Sequence, residues 1–164
     1  MYRPKLILLV GIPGSGKTTY AKEYARTHDE TIHLSSDLIR AELNGDESTQ
    51  GDPVKIFGIM QKRAVDALKG GKSVVYDSTA MTRKDRAGII AACPRHARIE
   101  AHVIWAPIET CIERDASRDR TVGREVIDKM LKRFQAPYYD EGIDEIVIVR
   151  PDFGDWDGHN YAEQ

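Results

Sequence analysis

The sequence predicts an α/β protein: a five-stranded parallel sheet flanked by helices and served by an arginine-rich lid. Three observations predict it. Short apolar runs alternate with segments of helical character along most of the chain. The first run, Leu6-Ile7-Leu8-Leu9-Val10, leads directly into Gly11-Ile12-Pro13-Gly14-Ser15-Gly16-Lys17-Thr18, a complete G-x-x-x-x-G-K-T phosphate-binding loop. Two carboxylates, Asp37 and Asp77, fall at or just after the ends of later runs. Parallel sheets gather ligands beyond those ends.

Each element follows from local signals. Leu6–Val10 is apolar throughout, as a strand covered on both faces should be. Helical character runs from Thr19 to Arg26, and Thr31–Ser35 is a short second strand. Asp37–Leu43 is a brief helix with Ser35 or Ser36 as its cap, and Asn44–Pro53 is a polar surface loop. Pro53 opens a long helix to Lys69, with Val54, Phe57, Met60, Ala64 and Leu68 expected on its buried stripe. Gly70-Gly71 ends it. Ser73–Tyr76 is a third strand running into Asp77, Thr82–Ala92 a helix, and Arg98–Trp105 a fourth strand. A helix begins at Pro107 and reaches Ser117 or Arg118. An arginine-rich turn follows, then a helix over Glu125–Gln135 and a last strand over Ile143–Val149. The expected organisation is one domain over residues 1–150, with a tail over 151–164 that carries Phe153, Trp156, His159 and Tyr161.

Composition narrows the classes. The chain has 164 residues, enough for one real core, with 41% hydrophobic and 30% charged residues. A formal net charge of −2 excludes a global basic field, so any nucleic-acid contact must be local. Cys93 and Cys111 lie among apolar neighbours and outside any metal spacing, and read as buried thiols of a reducing cytoplasm. No apolar stretch reaches membrane-spanning length, and the first run ends in the phosphate loop, as a strand and not a signal peptide would.

Three constellations carry chemistry. In the first, the glycines let the backbone wrap a polyphosphate, Lys17 reaches its β- and γ-phosphates, and the Thr18 hydroxyl ligates Mg²⁺. In the second, Asp37 and Arg40 share a helix face, pairing a base for an acceptor hydroxyl with a cation for an anionic acceptor. The competing account is a surface ion pair of little consequence. Asp77 is placed to orient Mg²⁺ or its waters or the acceptor, or to cap the next helix with Ser78. Arg83, Lys84 and Arg86 are expected on a solvated face, with acceptor phosphates as the other reading. In the third, Arg114, Arg118, Arg120 and Arg124 crowd the link between two helices. A closing lid of this kind excludes water and stabilises charge on the transferring phosphoryl group. Asp115 and Asp119 are expected to tie up some of these arginines.

These blocks together resemble the 5′-polynucleotide kinase family, specifically the kinase domain of the bacteriophage 5′-kinase/3′-phosphatase. The residues concerned are Gly11–Thr18, Asp37-x-x-Arg40, Asp77-Ser78-Thr79, and Arg114-x-x-x-Arg118 followed by Val122-x-x-x-Val126-Ile127. The resemblance implies an adenylate-kinase-like fold and an ATP–Mg²⁺ donor site at Gly11, Pro13, Gly14, Ser15, Gly16, Lys17, Thr18, Thr19, Arg114 and Arg118. It also implies catalytic roles for Lys17, Asp37 and Arg118, and an acceptor site at Asp37, Arg40, Asp77 and Thr79. Arg40 would bind the acceptor's 3′-phosphate. The partner implied is a DNA or RNA end bearing a 5′-hydroxyl, met during repair or RNA processing in the cytoplasm, a phage-encoded enzyme in its host included. No counterpart of the family's phosphatase domain is expected: Asp155-Trp156-Asp157 only superficially resembles a phosphatase D-x-D.

Two other functions compete. Kinases of small metabolites, nucleotide sugars and antibiotics use similar loops and Asp-x-x-Arg pairs. A non-enzymatic nucleotide switch needs neither the acceptor pair nor a lid arginine in the same chain.

Overall fold

A computed structural model describes residues 2–45, 51–118 and 121–150. Part of the loop expected at 44–53, Asp119 and Arg120 of the lid, and the whole expected tail lie outside the described residues. The elements are β1 Lys5–Val10, α1 Lys17–Thr27, β2 Thr31–Ser35, α2 Ser36–Asn44, α3 Pro53–Lys69 and β3 Ser73–Asp77. They continue with α4 Arg83–Ala92, β4 Arg98–Ile104, α5 Ile108–Ala116, α6 Arg124–Arg133, a 3-10 turn Tyr139–Glu141 and β5 Glu145–Val149. All five strands are parallel, in the order β2-β3-β1-β4-β5. β1 therefore lies in the centre, and its carboxyl end delivers the phosphate loop between the ends of β3 and β4.

The alternation of side chains divides β1 between two cores. Leu6 and Leu8 face a cluster with Val74, Tyr76, Ala101, Ile39 of α2 and Ile56, Met60, Ala64 and Leu68 of α3. Ile7 and Leu9 face the other side, against Tyr20, Ala21 and Tyr24 of α1. Val10 and Ile12 begin a third cluster with Ala80, Met81, Ala106, Cys111 and Ile127, which underlies α5 and α6 at the carboxyl edge. Each fully buried Leu or Ile contributes about 1.5–3 kcal/mol, so this third cluster anchors α5 and α6 to the carboxyl edge of the sheet.

The buried stripe of α3 differs from the expected one. Ile56 takes the position given to Phe57, because Ile56, Met60, Ala64 and Leu68 repeat every four residues on one face. Val54, in the first turn, is 82% exposed, and Phe57, one residue round from Ile56, is 40% exposed. Asp77 and Ser78 do not cap α4. Thr82 does, accepting from the Asp85 amide while the Asp85 carboxylate accepts from the Thr82 amide. Of the two thiols Cys111 is buried and Cys93 half-buried.

Arg86 is the largest correction. It is fully buried and not on a solvated face. Its Nε donates to Glu141 at 2.8 Å, one amino group donates to the Ala80 carbonyl at 2.7 Å, and the other to the Gln135 carbonyl at 2.8 Å. Arg83 pairs with Asp140 at 2.8 Å. Ala80 sits in the left-handed region with φ 47°, which costs an L-residue about 1–2 kcal/mol. Arg86 thus holds a strained turn whose neighbour, the Thr79 carbonyl, accepts from the Gly11 amide at 3.2 Å. Glu141→Ala would leave a buried guanidinium without its carboxylate. Loss of about 3–5 kcal/mol is expected, read as a lowered urea midpoint, with Glu141→Gln losing less.

Candidate active site

The phosphate loop is shaped by its glycines. Gly14 has φ 79°, and a Cβ there would collide with the Cys111 carbonyl. Gly16, with φ 99°, starts α1 without a side-chain cap. The first-turn amides of α1 and the positive end of its dipole therefore face outward, available to an anion. Ser15 Oγ is buried without a hydrogen-bond partner. Lys17 Nζ folds back to donate to the Ile12 carbonyl at 3.1 Å. Its pKa is lowered to about 8, chiefly by desolvation and further by Arg118, against the opposing pull of Asp77 and Asp37. A polyphosphate would supply the anionic partner this ammonium is short of.

One cleft of about 760 Å³ at the carboxyl edge is lined by Pro13, Gly14, Gly16, Lys17, Thr18 and Thr19, by Asp37 and Arg40, by Asp77 and Thr79, and by Arg114 and Arg118. These residues come from four separate elements and from three connecting segments, and the sheet brings them together. Gly11 and Ser15 are buried behind the wall. Ser35 caps α2 by accepting from the Leu38 amide at 3.3 Å, and this sets Asp37 in the helix's first turn. Arg40 Nη1 donates to Asp37 Oδ1 at 2.5 Å. The arginine side chain is 13% exposed, and its Nε is buried without a partner.

Thr18 Oγ1 donates to Asp77 Oδ2 at 3.1 Å, and His33 Nε2 lies 2.8 Å from the same oxygen. A hydroxyl and a carboxylate side by side fit Mg²⁺, which takes few protein oxygens and completes its shell with phosphates and water. Among the described residues no group of three or more His, Cys, Asp or Glu side chains could hold a metal by itself.

Arg114 Nη1 approaches the Gly14 carbonyl at 3.4 Å, which brings α5 against the phosphate loop. Among the described residues, Asp115 pairs with no lid arginine. It is buried and accepts from the Val122 and Gly123 amides at 2.9–3.2 Å, closing the turn that joins α5 to α6. His33 and Lys22 escaped the sequence reading. Lys22 had a signal, since it stands four residues after Thr18 on α1 and lines the cleft. His33 had none, because its partner Asp77 is 44 residues away.

Among the described residues no helix is long and apolar enough to cross a membrane. Over 155 residues the chain is 28% identical to transcription factor bHLH140 of Arabidopsis thaliana, covering 90% of this chain and 16% of that protein. Over 158 residues it is 31% identical to the adenylate kinase of Nautilia profundicola, covering 83% of this chain and 80% of that one. It superposes on a chain of the Pnkp1/Rnl/Hen1 RNA repair complex with a TM-score of 0.71 and 27% identity, covering 88% of this chain and 47% of that one. The chain thus spans 16% of the plant protein and 47% of the RNA-repair chain. An AAA domain family model matches residues 6–137. With the phosphate loop, the parallel sheet and that match in agreement, the chain belongs to this AAA domain family and has the P-loop kinase fold.

Proposed function

We propose that the chain transfers the γ-phosphoryl group of ATP to the 5′-hydroxyl of a DNA or RNA end. The observation that carries this reading is the shared cleft, which the Asp37–Arg40 pair lines together with Lys17 and Thr18. The similarity to a chain of an RNA repair complex supports nucleic acid as the acceptor. The loop amides and Lys17 hold the β- and γ-phosphates. Mg²⁺, held through Thr18 with Asp77 beside it, would neutralise phosphate charge when bound. Asp37 orients the acceptor hydroxyl and takes its proton as the O–P bond forms. Arg118 and Arg114 meet charge on the phosphoryl oxygens as the segment between α5 and α6 closes. Arg40 grips the acceptor's 3′-phosphate, and Thr79 lines the acceptor side.

The similarity to an adenylate kinase favours a second reading, a small phosphorylated metabolite as acceptor. Transfer of label from γ-labelled ATP to a short 5′-hydroxyl oligonucleotide decides between them, with Lys17→Ala as control. Transfer supports the first reading. Its absence with ATP still bound supports the second.

Arg40→Ala is expected to raise the KM for a 3′-phosphorylated acceptor roughly 10-fold with kcat little changed, since it removes binding made alike in ground and transition states. Equal KM values in the variant for acceptors with and without that phosphate are the expected signature. An unaltered ratio of the two would remove the role.

A further inference from the structure

The phosphate chemistry does not use every wall of the cleft. Leu38, Pro53 and Phe57 line it beside Asp37 and Arg40. Leu38 is 47% exposed and Phe57 40% exposed, although their neighbours Ile39 and Ile56 are buried in the core between α2 and α3. The other apolar lining residues, Val122 and Met130, pack against the third cluster and so have a structural use. Leu38 and Phe57 belong to none of the three clusters. An exposed aromatic ring in a cleft that also carries cations, carboxylates and hydroxyls has hydration to lose and gains from a flat apolar partner.

We propose that Phe57, flanked by Leu38 and Pro53, is a stacking platform for the unpaired base of the acceptor's 5′-terminal nucleoside. The inference rests on the nucleic-acid reading above and deepens it. Asp37 fixes where the 5′-hydroxyl must be and Arg40 where an anion of the same nucleotide lies. The base of that nucleotide projects from the sugar between them, and Phe57 is the aromatic side chain in the same wall. Stacking is indifferent to base identity, because every base has a π-face, so the platform accepts any terminal base. It also requires the base to leave its helical stack, which favours single-stranded or frayed ends over blunt duplex.

The test has two arms. In the first, an oligonucleotide with 2-aminopurine at its 5′-terminal position is titrated with protein in the absence of ATP. Quenching of its fluorescence is expected with the wild type and with Phe57→Tyr, and is expected to be lost with Phe57→Ala. No quenching by the wild type, or quenching unchanged in Phe57→Ala, overturns the platform. In the second arm, transfer is followed to a normal acceptor and to one whose terminal residue is abasic. Phe57→Ala is expected to raise the KM for the normal acceptor about 5- to 150-fold and to leave the abasic one unchanged. An equal loss on both acceptors overturns the proposal, and unaltered ATP binding verifies that the variant is folded. Quenching without transfer to any oligonucleotide would instead sink the 5′-kinase reading while leaving the stacking site standing, so the two failures are distinct.

Discussion

Lys17→Ala is expected to lower kcat by on the order of 10³-fold or more while the fold persists. The magnitude follows from where the charge sits. The loop amides and the α1 dipole give partial charges, whereas Lys17 brings a full positive charge to the phosphates inside a cleft from which water is partly excluded. The free protein holds this ammonium at a pKa of about 8, lowered first by desolvation and then by Arg118. Bound polyphosphate favours the charged form and raises that value. Above about pH 8, then, a growing fraction of free protein carries neutral Lys17, and binding ATP must draw a proton from solvent. Calorimetry at about pH 9 in buffers of different ionisation heat should show uptake approaching one proton per site in the wild type and little in Lys17→Ala. At pH 7 both should show little, because Lys17 is already charged. Equal uptake by the two proteins at the higher pH would mean that Lys17 is not the group meeting the phosphates.

The parts of this protein that were legible in its sequence are those written locally. Among the described residues, all five strands and six helices follow from runs and periodicities, and most expected ends fall within two residues of the observed ones. The phosphate loop needs only its own eight residues. The Asp37–Arg40 pair needs one helical turn, and the structure closes it at 2.5 Å. What escaped depends on partners remote in the chain. Arg86 reads as one more surface cation because Glu141 lies 55 residues away and the Gln135 carbonyl 49. His33 reads as an ordinary strand residue until β2 is paired with β3 and Asp77 comes alongside. Phe57 was misplaced for a different reason. Apolar residues occupy both sides of the α3 stripe, and only the position of α2 decides that Ile56 faces the sheet and Phe57 the cleft. Two misses were legible locally: Lys22, one turn after Thr18 on α1, and the Thr82–Asp85 capping box, a pattern four residues long.

Asp37→Ala should abolish transfer to within the background of the assay, a loss of about 10²–10⁴-fold in kcat. Two effects combine. The acceptor hydroxyl loses the group that orients it and takes its proton, and Arg40 loses the carboxylate that fixes its guanidinium. Asp37→Asn separates them. Asparagine keeps an oxygen to accept from Arg40 Nη1 but cannot take up a proton at working pH. If proton removal dominates, the Asn variant should be nearly as inactive as the Ala variant, with acceptor KM close to wild type. If orienting the acceptor hydroxyl dominates, Asn should recover most of kcat, while the loosening of Arg40 in the Ala variant should show in the acceptor KM and not in kcat. Neither substitution should disturb ATP affinity much, because the proposed triphosphate contacts are the loop amides, Lys17 and the lid arginines and do not include Asp37. Fully active Asp37→Asn would withdraw the base assignment. A variant that still bound ATP and acceptor with normal affinity but transferred nothing would place Asp37 at the reacting oxygen, since a side chain that only secured a helix turn would change binding before it changed chemistry.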